Sequence, residues 1–226
     1  MSVAELARRI ADRASPGEVL VVGVTGSVAA GKTTLCGALK AALEPARRVE
    51  VVSTDGFLFP NAVLAERGVL MRKGYPETYD AEGLAGALEG AREGPVIVPG
   101  YSHAIYDIDP ALAREVAPPD ILIVEGLGLT PRPAGLDLLV YLDAEEADLE
   151  DWFAARFLDF WRAAESDPAS FYARFRSMSE AETEAFARER VWTQMNLPNL
   201  REHIILARDE ADIVVRKAAD HSLAPD

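Results

Sequence analysis

A single cysteine, Cys36, stands among 226 residues, which excludes an intramolecular disulfide and fits a reducing compartment. With only three histidines, a clustered histidine metal site is excluded as well. No apolar run approaches the length of a membrane span, and the N-terminus has no charged-then-apolar export signal, so no membrane partner and a cytoplasmic location are expected. Basic side chains are the minority: 23 against 37 acidic ones give a formal charge of −14, a surface that repels nucleic acid as a whole yet leaves room for a local basic pocket. Internal repeats and low-complexity tracts are absent. The remainder, 49% hydrophobic and 27% charged, is ordinary for a folded protein and long enough to bury the core of one α/β domain with a small lid.

What is there is organised around Gly26, Ser27, Val28, Ala29, Ala30, Gly31, Lys32 and Thr33, directly after the apolar run Val19–Val24. This is the phosphate-loop pattern G-x-x-x-x-G-K-[ST] in its expected context, a buried strand before it and a helix from Thr33 to Leu43 after it. Glycines let the backbone wrap a phosphate, and successive N–H groups with the helix N-terminus supply positive potential. The stretch through Thr34 is therefore expected to bind ATP, with Lys32 on the β- and γ-phosphates and the Thr33 hydroxyl on Mg²⁺. Cys36 falls one helical turn after Lys32 and is expected to pack rather than react.

Further strands are expected at Arg48–Ser53, Pro95–Val98, Asp120–Glu125, Leu138–Leu142 and Ala211–Val215, the last followed by a short tail. Ser2-Val-Ala-Glu5 reads as a capping box opening a helix through Arg13. Asn61 is expected to cap a short helix within the glycine- and proline-marked segment 56–80, and Asp80 a helix to about Arg92. An amphipathic helix is expected over 145–165, another start at Asp167-Pro168, and a long helix from the capping box Ser179–Glu182 toward Asn196. Strands alternating with helices imply an α/β fold of the phosphate-loop NTPase type. Residues 1–226 then form one domain built on a mostly parallel sheet with helices on both faces, and 145–200 form a helical lid and substrate region.

In such sheets ligands gather at the carboxyl ends of the strands. Lys32, Asp55, His103 and Glu125 all fall just past expected strand ends. Asp55 is suited to accept or orient the proton of an attacking hydroxyl, and Glu125 to hold Mg²⁺ through water in the Walker-B manner. His103, among Tyr101, Ser102 and Tyr106, is a candidate hydrogen-bond partner for substrate. Arg156, on a helix rich in aromatics, can neutralise a transferring phosphoryl group. Each has a plainer reading, as turn aspartate, solvated strand-end glutamate, structural histidine or surface arginine. Together they describe a phosphotransferase acting on a small alcohol. A GTPase is disfavoured, since no Asn-Lys-x-Asp signature is present.

The ordered segments Gly26–Thr33, Thr54-Asp-Gly-Phe-Leu-Phe-Pro-Asn61, Glu66-Arg-Gly68, Lys73-Gly-Tyr-Pro-Glu-Thr-Tyr-Asp80, Tyr101-Ser-His103, Tyr106-Asp107 and Ile121–Gly126 resemble those of the type I (prokaryotic) pantothenate kinases. The likeness continues through Arg156–Phe160, Trp192–Asn196, Asn199-Leu200 and Lys217–His221, covering nearly the whole chain from residue 19. The resemblance implies ATP-dependent phosphorylation of the primary hydroxyl of pantothenate, the entry step to coenzyme A, by a homodimer that coenzyme A inhibits. It implies Asp55 as the catalytic carboxylate, Lys32 and Thr33 on phosphates and metal, and Arg156 on the γ-phosphate. It also implies Tyr101, His103 and Asn196 on pantothenate, with Lys217 and His221 beside the adenine. Phe153, with Phe157 in the same pocket, stands where the family has a substrate-touching tyrosine. Gly37 replaces a phosphate-binding arginine, and Gly128 an asparagine. The alternatives are a kinase of the same fold for a nucleoside, sugar alcohol or acid, and a nucleotide-binding regulator without transferase activity.

Overall fold

The computed structural model describes residues 1–44 and 46–225, so positions 45 and 226 of the expected domain lie outside the described residues. In chain order the main elements are α1 (Val3–Ala11), β1 (Leu20–Gly26), α2 (Lys32–Leu43), β2 (Val49–Ser53), α3 (Asn61–Glu66), α4 (Ala81–Glu93), β3 (Val96–Val98), β4 (Tyr101–Ser102) and β5 (Asp107–Ile108). They continue with β6 (Arg114–Val116), β7 (Ile121–Glu125), β8 (Leu138–Asp143), α5 (Glu146–Ala163), α6 (Glu180–Phe186), β9 (Ile213–Lys217) and β10 (Leu223–Pro225).

Among the described residues six strands form one sheet in the order β10-β9-β8-β1-β7-β2, parallel throughout except at β10. β1 and β7 are buried at every position, which is why both read as unbroken apolar runs: a parallel sheet is covered on both faces. α1 and α2 pack together and supply Leu6, Ile10, Leu35, Leu39 and Leu43 to the core. Each such side chain contributes roughly 1.5–3 kcal/mol when fully buried. Cys36 is fully buried among them and burial pushes its thiol well up, so it packs as expected.

Register decides where chemistry can gather. Glu125 at the end of β7 lies opposite Val24 of β1 on one side and Ser53 of β2 on the other. The residues that follow these three strands, Ser27–Thr33, Gly126 and Thr54–Phe57, therefore emerge together. The chain leaves β1 for β2 and β7 on one flank and β8 on the other, so the loop after β1 sits at a topological switch point.

Several expected boundaries move. α1 stops at Ala11, two residues short of Arg13. β3 exists, but it pairs antiparallel with β6 in a separate ribbon and not with the main sheet. The tail after β9 folds back as β10, an antiparallel edge strand. Asp167-Pro168 opens no helix. Instead Asp167 Oδ1 accepts the Ala169 N–H, its carbonyl accepts that of Ser170, and a 3₁₀ turn begins at Phe171. Asn61 is the first residue inside its helix, and Pro60 holds the cap position. The box at Ser179 and Glu182 forms with both reciprocal bonds, and its helix passes Asn196 and ends at Glu210, widening into π-type turns at Ala187–Asn196 and Leu200–Ile204. Among the described residues no helix is long and apolar enough to cross a membrane.

Candidate active site

The loop after β1 closes on itself. Gly31 caps α2 with φ of 95°, a left-handed turn that a side chain would strain, and a Cβ there would lie 2.8 Å from Lys217 Nζ. Lys32, the first residue of α2, turns its ammonium back to donate to the Gly26 carbonyl at 3.1 Å and the Ser27 carbonyl at 2.9 Å. Burial pulls this ammonium below its ordinary pKa, against the opposite pull of Glu125 and Asp55. Ser27 Oγ is buried without a partner, an orphaned polar atom inside a phosphate-sized loop.

Thr33 Oγ1 donates to Glu125 Oε1 at 2.9 Å, tying the start of α2 to the end of β7. Burial pushes the Glu125 carboxyl up, with Lys32 the main opposing charge. This pairing of a loop hydroxyl with a strand-end carboxylate is the oxygen donor set a hard divalent cation takes. Among the described residues no group of three or more acidic, histidine or cysteine side chains forms a protein-only metal cage, so a cation here would keep water and phosphate as ligands.

Asp55 sits in the 3₁₀ turn after β2, its N–H held by Ser53 Oγ at 3.2 Å. Its carboxylate faces two neighbours: Tyr79 OH donates to Oδ1 at 3.5 Å, and His103 Nε2 lies 3.9 Å from Oδ2. Arg156 Nη2 is 3.4 Å from the same His103 nitrogen. A guanidinium only donates, so Nε2 accepts and His103 is neutral here. Burial, opposed by Asp55 and helped by Arg156, lowers the imidazole pKa and agrees with that assignment. With no proton on Nε2, the Asp55–His103 approach at 3.9 Å is a near neighbour and neither a hydrogen bond nor an ion pair.

Tyr101 packs edge-on against His103 with centroids 5.2 Å apart, and the Phe160 ring lies 6.0 Å from the same imidazole. Phe153 is buried between Trp192 and Phe157, with ring centroids at 5.9 and 6.1 Å. Phe157 continues the cluster to Tyr172. Asn196 belongs to the π-type turns beside this cluster, and its Nδ2 is buried without a partner. On the flank of the loop, Lys217 of β9 donates to the Ala30 carbonyl at 2.9 Å and rides 4.1 Å above the Trp152 ring, which in turn faces His221 at 4.9 Å.

The fold thus brings Lys32, Thr33, Glu125, Asp55, His103 and Arg156 to one end of the sheet, with Tyr101, Phe153 and Phe157 in one chain of ring contacts and Asn196 on the helix that carries Trp192. Lys217 holds the Ala30 carbonyl of the phosphate loop, and His221 faces the Trp152 ring on which Lys217 rides. Three participants were missed from sequence: Tyr79 on Asp55, Trp152 under Lys217, and Lys73, whose ammonium is buried against Tyr101 and Tyr106. The crowding of glycines and prolines in 56–80 marked the segment without assigning Lys73 or Tyr79 a role, and Trp152 lay unmarked on the helix of 145–165.

A phosphate loop at the switch point of a parallel sheet, with a strand-end acid on its hydroxyl and a second carboxylate beside it, defines a phosphate-loop kinase. The pantothenate kinase of Streptococcus pneumoniae (strain P1031) is 40% identical over 223 residues, 93% of this chain and 72% of that one. The pantothenate kinase of Sorangium cellulosum (strain So ce56) is 43% identical over 219 residues, 90% of this chain and 70% of the relative. This chain belongs to the pantothenate kinase family. Among solved structures, a putative fructose transport system kinase from Silicibacter sp. TM1040 superposes with a TM-score of 0.64 at 32% identity, over 83% of this chain and 96% of that one. No model of a known protein family matches the chain.

Proposed function

We propose that this chain transfers the γ-phosphoryl group of Mg²⁺-ATP to the primary hydroxyl of pantothenate, as a cytoplasmic homodimer. The observation that carries the reading is Asp55, set beside His103 and Arg156 at the same sheet end as the Lys32–Thr33–Glu125 group. Mg²⁺, when bound, would neutralise phosphate charge. Lys32, now on the Gly26 and Ser27 carbonyls, would turn to the nucleotide phosphates, and Thr33 and Glu125 would hold the metal. Asp55 takes the hydroxyl proton or orients that hydroxyl for in-line attack, while Arg156 balances charge on the transferring group. Neutral His103 and Tyr101 hydrogen-bond the acceptor, and the orphaned Asn196 amide donates to it. Phe153 and Phe157 pack on its apolar body. Lys217 and His221, with Trp152, flank the adenine, and residues 145–200 act as the lid.

Incubation with Mg²⁺-ATP and pantothenate, read by mass spectrometry, tests this directly. Phosphopantothenate formation is expected, and ADP release no higher than the ATPase background rejects the substrate. A second reading, a sugar-alcohol or nucleoside kinase, is favoured by Phe153, which offers rings where a hydroxyl would make a polar contact, and by the 32% identity to the putative fructose transport system kinase. Losing one hydrogen bond to a buried ligand group costs about 1–3 kcal/mol, enough to shift preference among small alcohols. A panel with fructose, glycerate, uridine and cytidine decides it. Activity confined to pantothenate removes the second reading.

A further inference from the structure

The β4–β5 hairpin carries Tyr101 and His103 over Asp55, yet its pairing is only two residues long. At its turn Tyr106 adopts φ of 57°, a left-handed conformation rare for a bulky residue and held only where surroundings over-determine it. The Tyr106 carbonyl accepts two hydrogen bonds, from Asn61 Nδ2 at 2.8 Å and from Lys73 Nζ at 2.7 Å. Lys73 Nζ also donates to Asn61 Oδ1 at 2.6 Å, closing a triangle among the three groups. The Asn61 N–H in turn donates to Asp107 Oδ1 at 3.0 Å, on the other side of the same turn. The Lys73 ammonium lies 4.8 Å from the Tyr101 ring centroid and 4.5 Å from that of Tyr106. Among the described residues no carboxylate bonds it, and its buried position brings its pKa down to about 8.

We propose that Asn61 and Lys73 form a latch on the Tyr106 carbonyl, and that the latch positions His103 against Asp55. This deepens the kinase reading and rests on it for the catalytic consequence. Asn61 sits at the first position of α3 for this purpose: its side chain leaves the helix end uncapped and grips the neighbouring hairpin instead. Both residues are positioning residues. Neither is required to touch a reacting atom. The hairpin has a second tie, from the lid side, where Phe171 N–H donates to the Ala104 carbonyl at 2.7 Å. The latch therefore fixes one flank of the turn to segment 59–75 while the other flank follows the lid.

The test reads His103 itself, by NMR titration of the full chain without ligands. The charges that reach this imidazole are Asp55, Arg156 and Lys73, so the informative variant is Asn61→Ala, which changes none of them. In the parent chain His103 titrates below its ordinary value of about 6.5. In Asn61→Ala the loosened hairpin lets water in, and the titration moves up toward about 6.5. Turnover of Mg²⁺-ATP with pantothenate falls on the order of ten- to a hundredfold, with KM for ATP unchanged. An unmoved His103 titration in a folded Asn61→Ala chain overturns the latch. Should that variant fail to fold, Asn61→Ser, too short to reach the Tyr106 carbonyl, carries the same two outcomes. Because the titration needs no substrate, a parent chain inactive on pantothenate would count against the kinase reading and leave the latch to be decided by the titration alone.

Discussion

Replacing Gly126 by alanine attacks the site from below. Gly126 follows Glu125 with φ of 144°, and a Cβ there would lie 1.9 Å from Thr54 Oγ1 and 3.0 Å from Thr54 Cβ. Thr54 is fully buried, and its hydroxyl also accepts the Gly128 N–H at 3.2 Å, so it has no free direction in which to withdraw. The left-handed backbone costs an alanine about 1–2 kcal/mol, and forcing the overlap adds about 1–3 kcal/mol. At roughly 2–4 °C per kcal/mol for a chain of this size, the melting temperature falls on the order of 10 °C. Thermal melts by circular dichroism measure it. The double variant Thr54→Ala/Gly126→Ala removes the hydroxyl overlap and leaves the backbone strain, so it recovers part of the loss and not all. A single variant melting within about 1 °C of the parent, or a double variant with no recovery, refutes the reasoning.

Lys217→Ala removes the hold on the Ala30 carbonyl and the cation over Trp152, so KM for ATP rises several-fold while KM for pantothenate stays put. Steady-state kinetics with each substrate varied separates the two. Gly37 is exposed within α2 and a Cβ there meets only open space; Gly37→Ala stabilises the fold by up to about 1 kcal/mol, read as a higher melting temperature. Gly37→Arg places a cation there and is expected to strengthen inhibition by coenzyme A, with only weak inhibition expected of the parent chain; tight ATP-competitive inhibition of the parent contradicts this. His103, with its pKa depressed in the folded chain, stays neutral below its ordinary value, so kcat/KM declines only below about pH 6.5. The sign is the same for stability: between the two pKa values the unfolded chain binds the proton better, so stability falls as pH drops from about 6.5 toward the folded value. His103→Asn removes this limb from a pH–rate profile.

Much of the architecture was legible in the sequence because its signals are local. The apolar run before Gly26, the loop pattern itself and the capping box at Ser179 each dictate backbone geometry within a few residues, and all three stand where expected. The convergence of Asp55 and Glu125 was legible through one added rule, that parallel strands deliver ligands at their carboxyl ends, and the Val24–Glu125–Ser53 register meets it. What escaped depends on contacts remote in sequence. Asn61 resembles a helix cap in isolation, but a hairpin 45 residues away competes for its amide and wins. The pairing of β3 with β6 rather than with the main sheet, and the return of the tail as β10, are choices of partner that no local pattern records. Asp167-Pro168 carries a helix-start signal, yet the segment that follows is committed to the Ala104 carbonyl and the aromatic cluster, and only a turn forms.

The central claim is that the Asp55 carboxylate serves phosphoryl transfer and not nucleotide binding. Asp55→Asn, titrated with Mg²⁺-ATP by calorimetry and assayed for turnover with pantothenate, separates the two. Affinity for ATP within about twofold of the parent and turnover lower by roughly a hundred- to ten-thousandfold is the predicted result. Undiminished turnover, or loss of ATP binding in step with activity, contradicts it.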